Sequence, residues 1–174
     1  MAMYPIATYN MTSGGTNFAD FLSIPQIYED LHIRYVTRDI DNCCPNRGMF
    51  LEVNGNSVTN NGSHRITTTG NGTSVGVTNT LNTGRFDWSD IPGGIAVSNV
   101  FATGIIDISN YSNTSQLKTF QLKGGYVDGS NTGMVYHGAM LWNSTTAISS
   151  LRLYSNLGFA IGSSVSLYGI TREG

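Results

Sequence analysis

Three histidines, two adjacent cysteines and eleven acidic residues carry most of the chemistry open to this chain. His32, His64 and His137 do not fall in the H-x-H or H-x-x-x-H spacings that bring two imidazoles to one metal ion. His32 and His137 sit in segments that read as strands, where a partly exposed histidine on a sheet face is the plainer role. No G-x-S-x-G elbow supplies a hydrolase serine. Cys43 and Cys44 occupy Asp41-Asn42-Cys43-Cys44-Pro45-Asn46-Arg47, a turn-rich loop in which Arg47 is expected to lower a thiol pKa. Without a histidine close in sequence, a pair of free thiols is expected rather than a catalytic nucleophile. Asp39 and Asp41 flank Ile40 and point the same way in an extended chain, an arrangement usable for acid and base work or for calcium. The further oxygen ligands and terminal glutamate of an EF-hand are missing, which favours a plain turn rich in Asp and Asn. The glycines form neither a phosphate loop nor a dinucleotide fingerprint. The sequence therefore assigns no catalytic residue, no cofactor and no metal.

Ligand contact is easier to place. Gly84-Arg85-Phe86-Asp87-Trp88-Ser89-Asp90 gathers charge and two large aromatics ahead of Pro92, and reads as a loop between the halves of the fold. A tryptophan beside carboxylates suits a sugar, because its face stacks on the ring while the acids take hydroxyls. Asp87 and Trp88, with Trp142 at the end of a strand, are the candidate glycan contacts. The competing reading is that a tryptophan in a β-sandwich plugs one end of the core.

The elements that must hold these residues are strands. No window repeats apolar residues at i, i+3, i+4 and i+7, whereas period-two alternation is frequent. Leu31, Ile33, Tyr35 and Thr37 form one face of a strand over Leu31–Arg38. Met49, Leu51 and Val53 form another, ended by the Asn54-Gly55 turn. Further strands are predicted over Phe101–Ile108, Leu117–Lys123, Met134–Trp142, Ile148–Tyr154 and Ser164–Ile170. Turns are predicted at Asn61-Gly62, Asn71-Gly72, Pro92-Gly93-Gly94, Lys123-Gly124-Gly125 and Asp128-Gly129. Residues 54–83 read as a long decorated hairpin or loop. Eight to ten short strands of this kind predict an all-β, antiparallel β-sandwich or small barrel. Residues 1–17 are set apart as a short extended arm with Tyr4, Ile6 and Tyr9 among small polar residues, and residues 18–174 as the single domain.

Composition narrows the partners. Ser, Thr, Asn and Gly number 18, 19, 17 and 21 in 174 residues, and charged residues are only 11%. An ordinary soluble domain carries about a quarter. Nine basic against eleven acidic residues, and a pI near 5.8, exclude binding to nucleic acid mainly by charge and argue against an anionic membrane. The first fifteen residues show no secretory pattern, and no stretch reads as a transmembrane helix. A soluble protein made in a cytoplasm is the expectation.

Several runs are familiar. Phe21-Leu22-Ser23-Ile24-Pro25-Gln26-Ile27-Tyr28-Glu29-Asp30-Leu31-His32-Ile33-Arg34 carries an I-P-Q-x-Y-x-D-L pattern leading into a strand. Phe50-Leu51-Glu52-Val53-Asn54-Gly55, Ile106-Asp107-Ile108-Ser109-Asn110-Tyr111 and Thr145–Leu153 follow. Gly162-Ser163-Ser164-Val165-Ser166-Leu167-Tyr168-Gly169-Ile170 is the most specific of the set. Over residues 18 to 171 the chain resembles a group of bacteriophage virion jelly-roll proteins, found as head decorations, tail fibres and tail-associated proteins. The resemblance implies a jelly roll with no catalytic residues to carry over. With only a short arm ahead of the module, it implies a decoration or cement protein. Such a protein would bind the major capsid protein on the outer surface of the virion as a homotrimer, through Tyr4, Ile6 and Tyr9, after synthesis in the host cytoplasm. The alternative is a tail-borne receptor-binding module that holds host glycans.

Overall fold

A computed structural model describes residues 1–13, 16–56, 61–69, 74–83, 85–127 and 133–171. The described chain is all-β. Its twelve described strands are β1 (Ala2–Asn10), β2 (Thr16–Phe21), β3 (Asp30–Thr37), β4 (Asn46–Val53), β5 (Asn61–Thr69), β6 (Ser74–Thr83), β7 (Phe86–Pro92), β8 (Ala102–Ile108), β9 (Lys118–Val127), β10 (Gly133–Trp142), β11 (Leu151–Phe159) and β12 (Ser164–Thr171). Among the described residues no helix is long and apolar enough to cross a membrane.

Two antiparallel sheets enclose one core. Eight strands run in the order β1-β12-β3-β8-β9-β10-β5-β6, and four in the order β2-β11-β4-β7. The pairing is nested: β1 lies on β12, β2 on β11, β3 on β8 and β4 on β7. Two further antiparallel pairs, β5–β6 and β9–β10, widen the larger sheet beyond β8. The predicted inner face of β3 is the observed one, with Leu31, Ile33, Tyr35 and Thr37 all buried. From the other sheet Phe21, Met49, Leu51, Phe86, Leu153 and Phe159 meet them in a single apolar cluster. Alternate burial along strands such as β9 and β10 removes an apolar face from water, the main driving force for closing the sandwich.

Several expectations are corrected. The short extended arm expected ahead of residue 18 lies on the domain, with Ala2–Asn10 as the edge strand β1, bulged between Pro5 and Ala7, while β2 begins already at Thr16. The loop expected over Gly84–Asp90 is a strand from Phe86 onward, since β7 runs from Phe86 and buries Phe86 and Ile91. Asn61-Gly62 opens β5 rather than forming a turn, while the antiparallel pair of β5 and β6 agrees with the hairpin alternative expected within residues 54–83. Asn71-Gly72 and Asp128-Gly129 lie outside the described residues.

Lys123-Gly124-Gly125 is the most instructive case, because it lies within β9. Gly124 pairs with Gly104 of β8, and both leave room for the buried hydroxyl of Tyr35. That hydroxyl is 2.6 Å from the hydroxyl of Tyr136, so two buried polar groups satisfy each other. Burial raises the pKa of both phenols.

The strand predicted from Ile148 starts only at Leu151. Asn54 is the reason: with φ 48° it turns the chain with Gly55. Its side-chain oxygen accepts from the backbone N–H of Ser149 and Ser150, at 2.9 and 3.0 Å. Its amide donates to the carbonyl of Ala147 at 2.9 Å. These bonds occupy backbone groups that a longer strand would need.

Candidate functional site

The residues expected to grip a partner are largely used by the fold. Tyr4 stacks on Tyr28 with ring centroids 5.9 Å apart and remains half exposed. Ile6, at the β1 bulge, is partly buried against the core. Tyr9 donates its hydroxyl to the carbonyl of Asp20 at 2.5 Å and meets Phe21 edge-on at 5.2 Å. Of the three, Tyr4 and Tyr9 offer surface to another molecule.

The glycan set does not come together as expected. Trp142 is 1% exposed, and its ring lies 5.8 Å from the ammonium of Lys118 inside the fold. It cannot stack on a sugar, so that assignment is corrected to the competing one. The parity of β10 carried the signal, because Met134, Tyr136, Met140 and Trp142 alternate on one face and all are buried. Asp87 is exposed in β7, opposite Phe50. Trp88 lies in the same strand, with its side chain outside the described ones.

A polar cluster that sequence reasoning did not assemble lies where β3 leaves its sheet. The side chain of Arg38 turns inward and donates to the carbonyls of Gly94, Ala96, Val97 and Val100. Asp39 bridges to Phe159 and accepts the Asp41 backbone N–H at 2.6 Å. The next residues form the cysteine loop. Asp41 is buried, and one of its oxygens accepts the Cys43 N–H at 3.0 Å while the other faces the Cys43 thiol at 3.2 Å. The two sulfurs are 2.6 Å apart as free thiols. Arg47 donates to Cys43 Sγ at 2.6 Å and pairs with Asp41. Gly93 and Gly94 press on the loop so closely that a side chain on either would strike the carbonyls of Cys44 and Asp41. The expected lowering of a thiol pKa by Arg47 is corrected. Cys43 is pushed up, first by its hydrogen bond with Cys44 and then by burial and the charge of Asp39.

Burial likewise holds the Asp39 carboxyl above its ordinary value of 3.8, against the lowering effect of Ser155, Leu157 and Arg47. The folded chain therefore keeps this proton to higher pH than the unfolded chain, and the group's contribution to stability falls as pH rises through that interval. Relative to the parent, an Asp39→Asn variant should lose less urea midpoint between about pH 4 and about pH 7. An equal or larger loss would overturn the assignment.

The outer face of the larger sheet divides in two. On β3, β8 and β12, His32 Nδ1 lies 2.5 Å from Asp107, Arg34 Nε donates to His32 Nε2 at 3.2 Å, and the guanidinium covers Tyr168. On β5, β6, β9 and β10 the same face turns apolar. Ile66 pairs with Val77 and with His137, and Val135 and Val127 continue the patch. Val77 is 76% exposed and Val127 72%. His64, His137 and Gln121 line a shallow depression at its centre.

Comparison with protein-family models, with curated proteins and with solved structures finds no match to the chain.

Proposed function

We propose that this protein is a non-enzymatic structural component of a bacteriophage virion, a jelly-roll module that decorates the capsid as a trimer bound to the major capsid protein. The nested pairing of eight of the strands, four in each sheet, supports the jelly-roll reading, with the two added strand pairs broadening one sheet. The observation that carries an assembly role is the outward apolar patch of Ile66, Val77, Val127 and Val135. Contiguous exposed apolar surface on a folded chain marks contact with another macromolecule. The phage assignment rests on the sequence resemblance alone. Capsid stabilisation by such a module follows from mass action, since whatever binds only the assembled shell favours it.

Purified particles test the reading. On the order of hundreds of copies spread over the head, by gel densitometry and immunogold labelling, are expected from icosahedral repetition of one site. A few copies at the tail would overturn the decoration role in favour of receptor binding, with Asp87 and Trp88 as the residues to examine. An Ile66→Lys, Val77→Lys double variant should fold and lose particle association, because outward side chains can change without disturbing the core. Unchanged association would exclude the patch as the contact. Tyr4→Ala then tests the β1 edge separately, since Ile6 and Tyr9 also hold the domain together.

A further inference from the structure

We infer that Asp41, Cys43 and Cys44 form a binding site for a thiophilic divalent cation, with Arg47 as the tethered cation that such an ion displaces. One carboxylate oxygen and two sulfurs converge so that all three ligand atoms lie within 4.8 Å of one another. The guanidinium of Arg47 already reaches two of the three, donating to Cys43 Sγ and pairing with Asp41. Two electron-rich atoms drawn to a positive group, with the Cys44 sulfur close beside them, are a cation site in outline. Two sulfurs select zinc or cadmium over magnesium or calcium, which prefer oxygen.

The loop is organised for ligation before any ion arrives. Asp41 uses one oxygen to hold the Cys43 N–H and presents the other to the sulfurs. The Gly93 N–H donates to the Pro45 carbonyl at 2.9 Å, and Gly94 packs on the Asp41 carbonyl. Cys43 is exposed and Cys44 half-buried, so an ion can enter from water. Three protein ligands leave the fourth tetrahedral position to solvent.

Binding is an exchange of protons for metal. Each neutral thiol gives its proton to solvent as a metal–sulfur bond forms, and the ionised Asp41 supplies the third bond without proton loss. A dication with two thiolates and one carboxylate leaves a single negative charge. Arg47, swung out on its flexible stem, remains beside the site to balance it. Because two thiols must give up their protons, uptake is pH-dependent and tighter at higher pH.

Cadmium titration of the reduced full chain under argon tests the site. The expected result is one Cd²⁺ per chain, a sulfur-to-cadmium charge-transfer band in the ultraviolet, and release of about two protons per ion. Affinity should be about tenfold or more above that of the same chain in denaturing urea, because the folded loop supplies Asp41 and the geometry. Cys43→Ser and Cys44→Ser should each remove most of the band. Asp41→Asn should keep the band and weaken binding about tenfold, while Arg47→Gln should tighten it. No band, equal affinity in folded and unfolded chains, or an Asp41→Asn titration identical to the parent's would overturn the proposal. The folded-against-unfolded comparison needs no variant, so a misfolded mutant cannot obscure the answer.

Discussion

An Arg38→Met variant is expected to unfold about 3–5 kcal/mol more easily than the parent, the usual cost of removing one partner from a buried charged network. Residues 93–100 have no strand of their own. The Arg38 guanidinium reaches Ala96 and Val97 carbonyls at 2.8 Å, Val100 at 3.0 Å and Gly94 at 3.1 Å. A methionine fills the stem's volume and returns none of these bonds, leaving four carbonyls to find water or strain. Arg38→Lys should recover only part of the loss, because a single ammonium cannot span the fork of acceptors. Urea denaturation of the three chains gives the comparison. A loss below about 1 kcal/mol for Arg38→Met would mean that water replaces the guanidinium without cost.

The second large effect is expected at Gly124. In most strands glycine to alanine stabilises, because glycine gives up more freedom on folding. Here a Cβ would lie 2.5 Å from the Tyr35 hydroxyl, 2.6 Å from the Thr103 carbonyl and 2.9 Å from the Tyr136 ring. The first and third neighbours could yield only by breaking the buried Tyr35–Tyr136 hydrogen bond, and the second is backbone. Gly124→Ala should therefore destabilise by about 3 kcal/mol, overpacking added to a lost buried bond. A Tyr35→Phe background removes one of the clashing atoms, so the same substitution should cost less there. Equal costs in the two backgrounds would separate Gly124 from the tyrosine pair.

These positions show where reading the sequence succeeds and where it stops. Alternation found the inner face of β3, because one sheet face is buried and period two is enforced along the strand. Asn54-Gly55 was legible as a turn because both residues take positive φ, which only a few residue types accept. Gly124 was misread for the same reason that Gly55 was read correctly. Glycine marks a turn or a socket alike, and what decides is Tyr35, a residue distant in sequence. Gly84–Asp90 reads as a loop in the sequence because its charged residues obscure Phe86, which is buried in β7 with Ile91. The cysteine loop was visible as a string, yet only the fold brings Gly93 and Gly94 beneath it and turns Asp41 toward the sulfurs. Trp142 was a choice between two readings, and the parity of its strand would have settled it.

The nesting of the strands has a temporal consequence. Ala2 faces Thr171, and Tyr9 faces Val165, so β1 pairs with a strand made about 160 residues later. β2 must likewise wait for β11. Among the described strands, β5 with β6, β8 with β9 and β9 with β10 can zip up as soon as they emerge, being neighbours in the chain. Contacts this distant are slow to form, since a long loop must close before any pairing repays it. A nascent chain would therefore hold β1 and β2 as unpaired, hydrogen-bond-hungry segments until β12 and β11 emerge, and at high expression these are where premature pairing between neighbouring chains would begin.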